Sequence, residues 1–297
     1  MIDLSKLITE SRNPNTMNLD EMTPYEIAKA MNKEDKKVVE AIEEVLKEIA
    51  VAIEWTTKSL SEGGRIIYIG AGTSGRLGVL DAVECPPTFG VQKELVVGLI
   101  AGGDIAFVEA VEGAEDSESL CKEELMGIEL VAQDIVIGLA ASGRTPYVVH
   151  GLKYANSIGC NTVAIACNKG SDIGMAAKIA IEPVTGAEVL TGSTRLKAGT
   201  AQKMILNMIS TGSMVGIGKV YENLMVDVKQ SNEKLVVRSQ NIVMAATGCD
   251  REKAKEVLGQ AEGHVKTAIT MILLNCNVSE AKNKLSKAKG KIREALK

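Results

Sequence analysis

Two short polar loops in the sequence carry residue types that suit the binding of a phosphate group. Residues 70–75 read GAGTSG, and residues 140–146 read AASGRTP. In both cases a short apolar run precedes the loop and a stretch with helical periodicity follows it, which predicts a strand, a turn and then a helix. Free backbone N–H groups at the start of a helix attract an anion, and serine and threonine hydroxyls add donors without bulk. The two loops therefore indicate a phosphorylated small molecule as the ligand.

Two glutamates near these loops suit acid–base chemistry. Glu84 lies about three helical turns beyond the first loop, just before Pro86 and Pro87 in the run ECPP, and these prolines predict that the helix ends there. Glu115 lies in a separate acidic loop together with Glu112. Carboxylates with different pKa values suit a reaction in which one group removes a proton and another donates one. Solvated or ion-paired side chains are the alternative interpretation of both glutamates.

The loops need a rigid scaffold, and the sequence predicts a mostly parallel β-sheet. Short apolar, β-branched runs alternate with helical or loop segments, which is typical of βαβ units covered by helices on both faces. The predicted strands are residues 65–71, 95–101, 135–141, 162–167 and 179–183. Sheets of this kind bind ligands at the carboxyl ends of their strands. Both polar loops and the acidic loop follow predicted strands, so we expect them at that edge.

The chain divides into three predicted parts. Residues 1–62 form an N-terminal helical segment, whose main helix is a single long one that begins at Asn32 or Asp35. Residues 63–223 form the domain that contains the sheet. Residues 232–297 form a small C-terminal bundle of helices, because their apolar residues recur at helical spacing.

A further polar loop precedes the last helix of the central domain. Ser193 or Thr194 is predicted to cap this helix, which runs to about Asn223. The polar loops also contain three arginines, Arg76, Arg144 and Arg195. One interpretation is that they balance the charge of a bound anion, and the other is that they form salt bridges with neighbouring acids.

The composition excludes several other classes of function. The formal net charge is −4 and aromatic residues make up 3% of the chain, so the sequence predicts no nucleic-acid partner. Six scattered cysteines without a C-x-x-C pair indicate reduced thiols of a cytoplasmic protein. No apolar run reaches the length of a membrane span, so we expect no membrane partner.

Residues 70–75 also match the G-x-G-x-x-G pattern, which makes dinucleotide binding the competing interpretation of the first loop. A dinucleotide site usually has an acidic residue at the end of the second strand. Here that predicted strand ends in Gly102 and Gly103, and the first acid is Asp104. The pattern is therefore weak support for a dinucleotide site.

Four long motifs resemble a known family. Residues 69–90 read IGAGTSGRLGVLDAVECPPTFG, and the other three motifs are AVEGAED, AASGRTPYV and TGSTRLKAGTAQKMILNM. The polar loops resemble those of the sugar isomerase (SIS) domain, and the full motifs resemble the N-acetylmuramic acid 6-phosphate etherases. The glucokinase regulatory protein is a more distant relative that shares several of them. The resemblance implies an α/β fold, with a three-layer αβα SIS-type domain, an N-terminal helical arm and a C-terminal helical bundle like a ubiquitin-associated domain.

The resemblance also implies an activity. Members of this family cleave the D-lactyl ether of N-acetylmuramic acid 6-phosphate to N-acetylglucosamine 6-phosphate and D-lactate, as homodimers in the bacterial cytoplasm, without a metal or organic cofactor. Glu84 matches the acid/base carboxylate in the ECPPT motif, and Glu115 matches the second catalytic carboxylate in EGAED. By resemblance Glu84 protonates the lactate oxygen and later activates water, and Glu115 removes the proton at C2. Exchanging these two roles would leave the sequence argument unchanged.

We expect the phosphorylated amino sugar to contact residues of the polar and acidic loops. These residues are Gly72, Thr73, Ser74, Glu112, Ser142, Gly143, Thr145 and Ser193. Two alternatives share these loops. A phosphosugar sensor would bind the ligand without turnover, and an aldose–ketose isomerase would remove the same C2 proton without releasing lactate.

Overall fold

A five-stranded parallel sheet is the central element of this computed structural model, which describes residues 7–228 and 233–297. Its strands are β1 (Ile66–Gly70), β2 (Val96–Ile100), β3 (Ile135–Leu139), β4 (Asn161–Ile165) and β5 (Ile179–Ile181). They lie in the order β2-β1-β3-β4-β5, and every pair is parallel. All five predicted strands are therefore confirmed, with bounds shifted by a few residues.

Strands β1 and β3 form the middle of the sheet and are buried along their whole length. Their aliphatic residues face helices on both sides, which explains why the sequence shows continuous apolar runs rather than alternation. At the beginning of both strands, the backbone N–H of Arg65 donates to Asp134 Oδ1 at 2.8 Å, and Arg65 Nη2 lies 2.7 Å from Asp134 Oδ2. This ion pair joins the residues that precede β1 and β3.

Helices cover both faces of the sheet, and the predicted αβα layering is confirmed. The helices that accompany the strands are α1 (Pro24–Glu43), α2 (Leu46–Ser61), α3 (Gly72–Phe89), α4 (Ile105–Val108), α5 (Leu120–Gly127), α6 (Pro146–Ile158), α7 (Asp172–Ala176) and α8 (Lys197–Gly216). One face of the sheet, which includes Ile67 and Val136, packs against α5 and α6. On the opposite face the Tyr68 hydroxyl donates to Asp81 of α3 at 2.8 Å, and α2 contacts β1 and β3.

The prediction of one long N-terminal helix beginning at Asn32 or Asp35 is wrong. The first helix begins earlier, because Thr23 and Glu26 form a reciprocal capping box around Pro24. The helical segment also breaks between α1 and α2, where Val45 leaves the helical conformation.

The predicted end of the helix at Pro86 and Pro87 is also wrong. Helix α3 contains both prolines and continues to Phe89. Each proline removes one N–H donor and crowds the carbonyl four residues before it, but its own carbonyl can still accept a hydrogen bond from the following turn. Here the N–H of Gly90 donates to the Pro86 carbonyl at 2.9 Å, which closes the last turn.

The prediction that Ser193 or Thr194 caps the last helix of the central domain is wrong, as is its predicted end near Asn223. Helix α8 begins at Lys197, and the first two N–H groups of this helix donate to the carboxylate of Glu188 at 2.9 and 3.0 Å. It ends at Gly216, and a short hairpin follows. A cap that comes from outside the local sequence leaves no local signal.

Contacts divide the chain into two compact units. The first contains Met1–Ala82 and Glu94–Ser210, and the second contains Val83–Lys93 and Thr211–Lys297. The predicted three-part division remains a prediction. Within the described residues, no helix combines the length and apolar character needed to cross a bilayer.

The second unit has a core of its own. Its elements are β6 (Val220–Tyr221), β7 (Leu224–Met225), α9 (Glu233–Thr247), α10 (Arg251–Gln260), α11 (Val265–Leu274), α12 (Val278–Lys287) and α13 (Ile292–Ala295). Val243, Val257 and Ile269 are among its buried aliphatic residues. Helices α12 and α13 are separate, because Lys289 and Gly290 between them both have positive φ angles (51° and 76°).

Candidate active site

The two polar loops that the sequence singles out follow neighbouring strands. The first follows β1 and the second follows β3, and Gly70 pairs with Leu139 at the carboxyl ends of these strands. Strand β1 connects to β2 on one side, whereas β3 and the later strands continue on the other side. In this strand order the crevice for a ligand opens between β1 and β3. The fold therefore places both polar loops beside the expected crevice.

The loop after β1 approaches the sheet closely. A side chain on Gly75 would come within 2.7 Å of the Gly70 carbonyl oxygen, so only glycine fits there. Ser74 is buried and its hydroxyl donates to Gln202 Oε1 at 2.8 Å, so this donor points into the protein. Thr73 lies beside the start of α8. A Cβ atom added to Gly199 of α8 would be 3.6 Å from the Thr73 methyl group.

The loop after β3 is held by residues of the next strand connection. Gly143 has a positive φ of 80°, and a side chain there would collide with Ser171. The Asn168 amide donates to the Ser142 carbonyl at 3.2 Å. Thr145 is the N-cap of α6, but in the described structure its hydroxyl accepts no capping hydrogen bond. The Thr145 hydroxyl is therefore not used to cap the helix.

The acidic loop lines a cavity of about 300 Å³ next to the start of α3. Its wall includes Gly72 from the first loop and Glu112, Glu115 and Asp116 from the acidic loop, together with Arg76. The structure thus brings three of the predicted site residues together. Both Glu112 and Glu115 are exposed.

Ser193 and Glu84 belong to other segments of the chain. Ser193 lies in the loop before α8, where its N–H donates to the Leu190 carbonyl at 3.0 Å. Glu84 belongs to the second compact unit and is exposed on the last turns of α3, next to buried Cys85.

A buried ionic cluster beside the Ser193 loop was not predicted from the sequence. Lys197 is completely buried, and its Nζ lies 2.9 Å from Glu34 Oε2 of α1. Glu188, which caps α8, is also completely buried. Asn13 donates to Glu34 at 2.9 Å and to the Ala187 carbonyl at 3.1 Å. The cluster thus fixes both ends of the loop that carries Ser193.

Burial and hydrogen bonding shift the pKa values of Glu34 and Glu188 in opposite directions. Burial raises the pKa of Glu34, but hydrogen bonds from Lys37, Lys197, Asn15 and Asn13 outweigh it and lower the pKa to about 2. Burial raises the pKa of Glu188, although the two N–H donors of α8 oppose that effect.

The lowered pKa of Glu34 predicts a pH-dependent contribution to stability. Its folded-state pKa of about 2 lies below the ordinary value of 4.5, so the stabilisation is complete above pH 4.5 and is lost as the pH falls through 2. We expect the stability difference between wild type and Glu34→Gln to shrink by up to about 3 kcal/mol between pH 5 and pH 2. Urea unfolding, followed by the fluorescence of Trp55, measures it. A difference that stays constant over this range would contradict the assignment.

The described residues contain no group of three or more His, Cys, Asp or Glu side chains arranged to hold a metal ion. All six cysteines are free thiols, and four of them are buried.

Comparisons with known proteins agree with this architecture. Residues 48–156 match the sequence profile of the glucokinase regulatory protein N-terminal SIS domain, and residues 123–211 match that of the SIS domain. Among solved structures, a phosphoheptose isomerase from Neisseria gonorrhoeae is similar with a TM-score of 0.50 and 15% identity, covering 64% of this chain and 98% of that one. Likeness at this identity establishes the fold.

Full-length relatives are much more similar in sequence. The chain is 59% identical to the N-acetylmuramic acid 6-phosphate etherase of Bacillus mycoides, over 99% of this chain and 100% of that protein. It is 58% identical, with the same coverage, to the protein of that name from a Geobacillus strain.

Proposed function

This chain belongs to the N-acetylmuramic acid 6-phosphate etherase family, and we propose that it carries out the reaction for which the family is named. The observation that carries the proposal is identity of 59% over practically the whole length of both chains. The enzyme is a carbon–oxygen lyase that cleaves the D-lactyl ether of N-acetylmuramic acid 6-phosphate. Its products are N-acetylglucosamine 6-phosphate and D-lactate.

The chemistry of an alkyl ether explains why two carboxylates are needed. Direct displacement of lactate is difficult, but opening of the sugar ring gives an aldehyde at C1 that acidifies the hydrogen on C2. In our proposal Glu115 removes this proton while Glu84 donates a proton to the lactate oxygen on C3, so that the C3–O bond breaks and lactate leaves. Water, activated by Glu84, then adds to C3 of the unsaturated aldehyde, and the proton returns to C2.

The phosphate supplies binding energy away from the reacting carbons. We propose that Ser142, Gly143 and Thr145 hold it at the loop after β3, because this loop flanks the expected crevice and has a hydroxyl that the helix does not use. Thr73 and Ser193 are proposed to contact the sugar from the start of α8. The hydroxyl proton of Ser74 is already donated to Gln202. We therefore propose that Ser74 contacts the substrate through its backbone N–H, or that its hydroxyl oxygen accepts a hydrogen bond from the substrate.

Lactate release by the purified protein tests the function. We expect stoichiometric formation of D-lactate and N-acetylglucosamine 6-phosphate from N-acetylmuramic acid 6-phosphate, without added metal. Binding without product would indicate a sensor, and a ketose phosphate without lactate would indicate an isomerase. Either result would overturn the proposal. We also propose that the enzyme works as a homodimer in the cytoplasm, in the recycling of cell-wall amino sugars.

A further inference from the structure

Arg76 is the only cation among the described residues that line the cavity with Glu112, Glu115 and Asp116. It is the fifth residue of α3 and is half-buried. Its Nε–H donates to the carbonyl oxygen of Phe107 at 2.8 Å. Since Phe107 lies within the segment that forms the cavity wall, this hydrogen bond fixes the guanidinium at the wall.

Among the described residues, no acidic side chain neutralises the charge of Arg76. No carboxylate of the described residues lies within 4.0 Å of its guanidinium, although three acidic residues line the same cavity. Arg144, the arginine of the second polar loop, differs in this respect, because it lies 3.9 Å from Asp172. Among the arginines considered from the sequence, salt-bridge pairing thus applies to Arg144 and not to Arg76.

The unpaired guanidinium matches one group of the proposed substrate. A guanidinium binds carboxylates through two parallel N–H···O hydrogen bonds, and Arg76 keeps its Nη donors for such a contact. The substrate carries two anions, the phosphate on C6 and the carboxylate of the lactyl group on C3. These two groups lie far apart on the sugar.

The position of the cavity indicates which of the two anions reaches Arg76. The phosphate is proposed at the loop after β3, on one side of β1, whereas the cavity lies between the loops after β1 and β2, on the other side of β1. A sugar whose phosphate is held beside β3 therefore presents its far end to the cavity. That end includes C2 and C3, the carbons on which the proposed catalytic carboxylates act.

We propose that Arg76 binds the lactyl carboxylate and is the residue that distinguishes the substrate from the sugar product. This inference rests on the proposed function. The cavity wall carries three carboxylates against a single cation, so an incoming carboxylate depends on Arg76 to offset their repulsion. N-Acetylglucosamine 6-phosphate lacks the lactyl group, so Arg76 does not contribute to its binding. Cleavage of the ether therefore removes the contact from the sugar product.

Substitution of Arg76 tests this inference by comparing two ligands that differ only in the lactyl group. In Arg76→Gln we expect the KM for N-acetylmuramic acid 6-phosphate to rise by about ten- to a hundredfold, the usual effect of losing a charged hydrogen bond. The inhibition constant of N-acetylglucosamine 6-phosphate, measured in the same lactate-release assay, should stay within about twofold. Arg76→Lys retains the positive charge but not the two parallel N–H donors of the guanidinium. It should raise the KM for N-acetylmuramic acid 6-phosphate by less than Arg76→Gln does.

Two results would overturn the inference. An equal rise in both constants would mean that Arg76 binds the phosphate or only shapes the loop through Phe107. No change in either constant would mean that the lactyl group does not reach it. If Arg76→Gln does not fold, the comparison is made with Arg76→Lys. Arg293→Gln, which removes an exposed charge from α13, is the control for net charge and should leave both constants unchanged. A wild-type protein that releases no lactate would instead refute the proposed function.

Discussion

Glu84→Gln is expected to lower the rate of lactate release from N-acetylmuramic acid 6-phosphate by about a hundred- to ten-thousandfold, the range for loss of a general acid–base group. Glutamine has nearly the same shape but cannot donate a carboxylic proton to the lactate oxygen. Because Glu84 is exposed on α3, the substitution should leave the fold intact. Substrate binding, measured by calorimetry, should be retained. Wild-type rates in this variant would remove Glu84 from the mechanism.

Hydrogen exchange at C2 separates the role of Glu84 from that of Glu115. In deuterated water, Glu84→Gln should still exchange the C2 hydrogen of the substrate, because the base remains, while lactate stays attached. Glu115→Gln should neither exchange the hydrogen nor release lactate. The opposite pattern would assign the base to Glu84. Glu109→Gln is the matched control, because Glu109 is exposed on the same segment as Glu115 but does not line the cavity.

Lys197→Met is expected to lower the free energy of unfolding by about 3–5 kcal/mol, the typical cost of removing one partner of a buried ion pair. Lys197 is completely buried, and its removal leaves the carboxylates of Glu34 and Glu188 without the cation that lies between α1 and α8. Methionine fills a similar volume, so the effect arises from charge rather than from a cavity. Urea unfolding followed by the fluorescence of Trp55, which lies in the same compact unit, measures the change.

Two further variants show whether the loss comes from the buried charge. Lys37 also contacts Glu34, at 2.8 Å, but its side chain is 45% exposed. Lys37→Met should therefore cost no more than about 1 kcal/mol. Adding Glu34→Gln to Lys197→Met should recover part of the lost stability, because it removes one of the two buried carboxylates that lose Lys197. A loss for Lys197→Met no larger than that for Lys37→Met would contradict the assignment.

Helix boundaries show where sequence reasoning succeeds and where it does not. The start of α6 follows the local rule that proline suits the first position of a helix, here Pro146. The start of α8 follows no such local rule. Its first N–H groups are capped by Glu188, a residue of the preceding loop. Helix α3 also continues through Pro86 and Pro87, and its last turn is closed by the N–H of Gly90, which donates to the Pro86 carbonyl.

Local patterns of residues were sufficient to predict the strands, the polar loops at their ends and the acidic loop, together with the likeness to a family that acts on a phosphosugar. These features depend on residues that are neighbours along the chain, so their periodicity and composition can be recognised locally. Family membership follows in the same way from the long motifs.

Which of these residues come into contact depends on the tertiary structure. It turned the hydroxyl of Ser74 towards Gln202, placed Gly72 in one cavity with Glu115, and left Arg76 without an acidic partner among the described residues. It also buried Lys197 against Glu34, which lies 163 residues away in the chain. Such contacts depend on how helices pack on the sheet, and packing joins segments whose separation in sequence carries no local pattern.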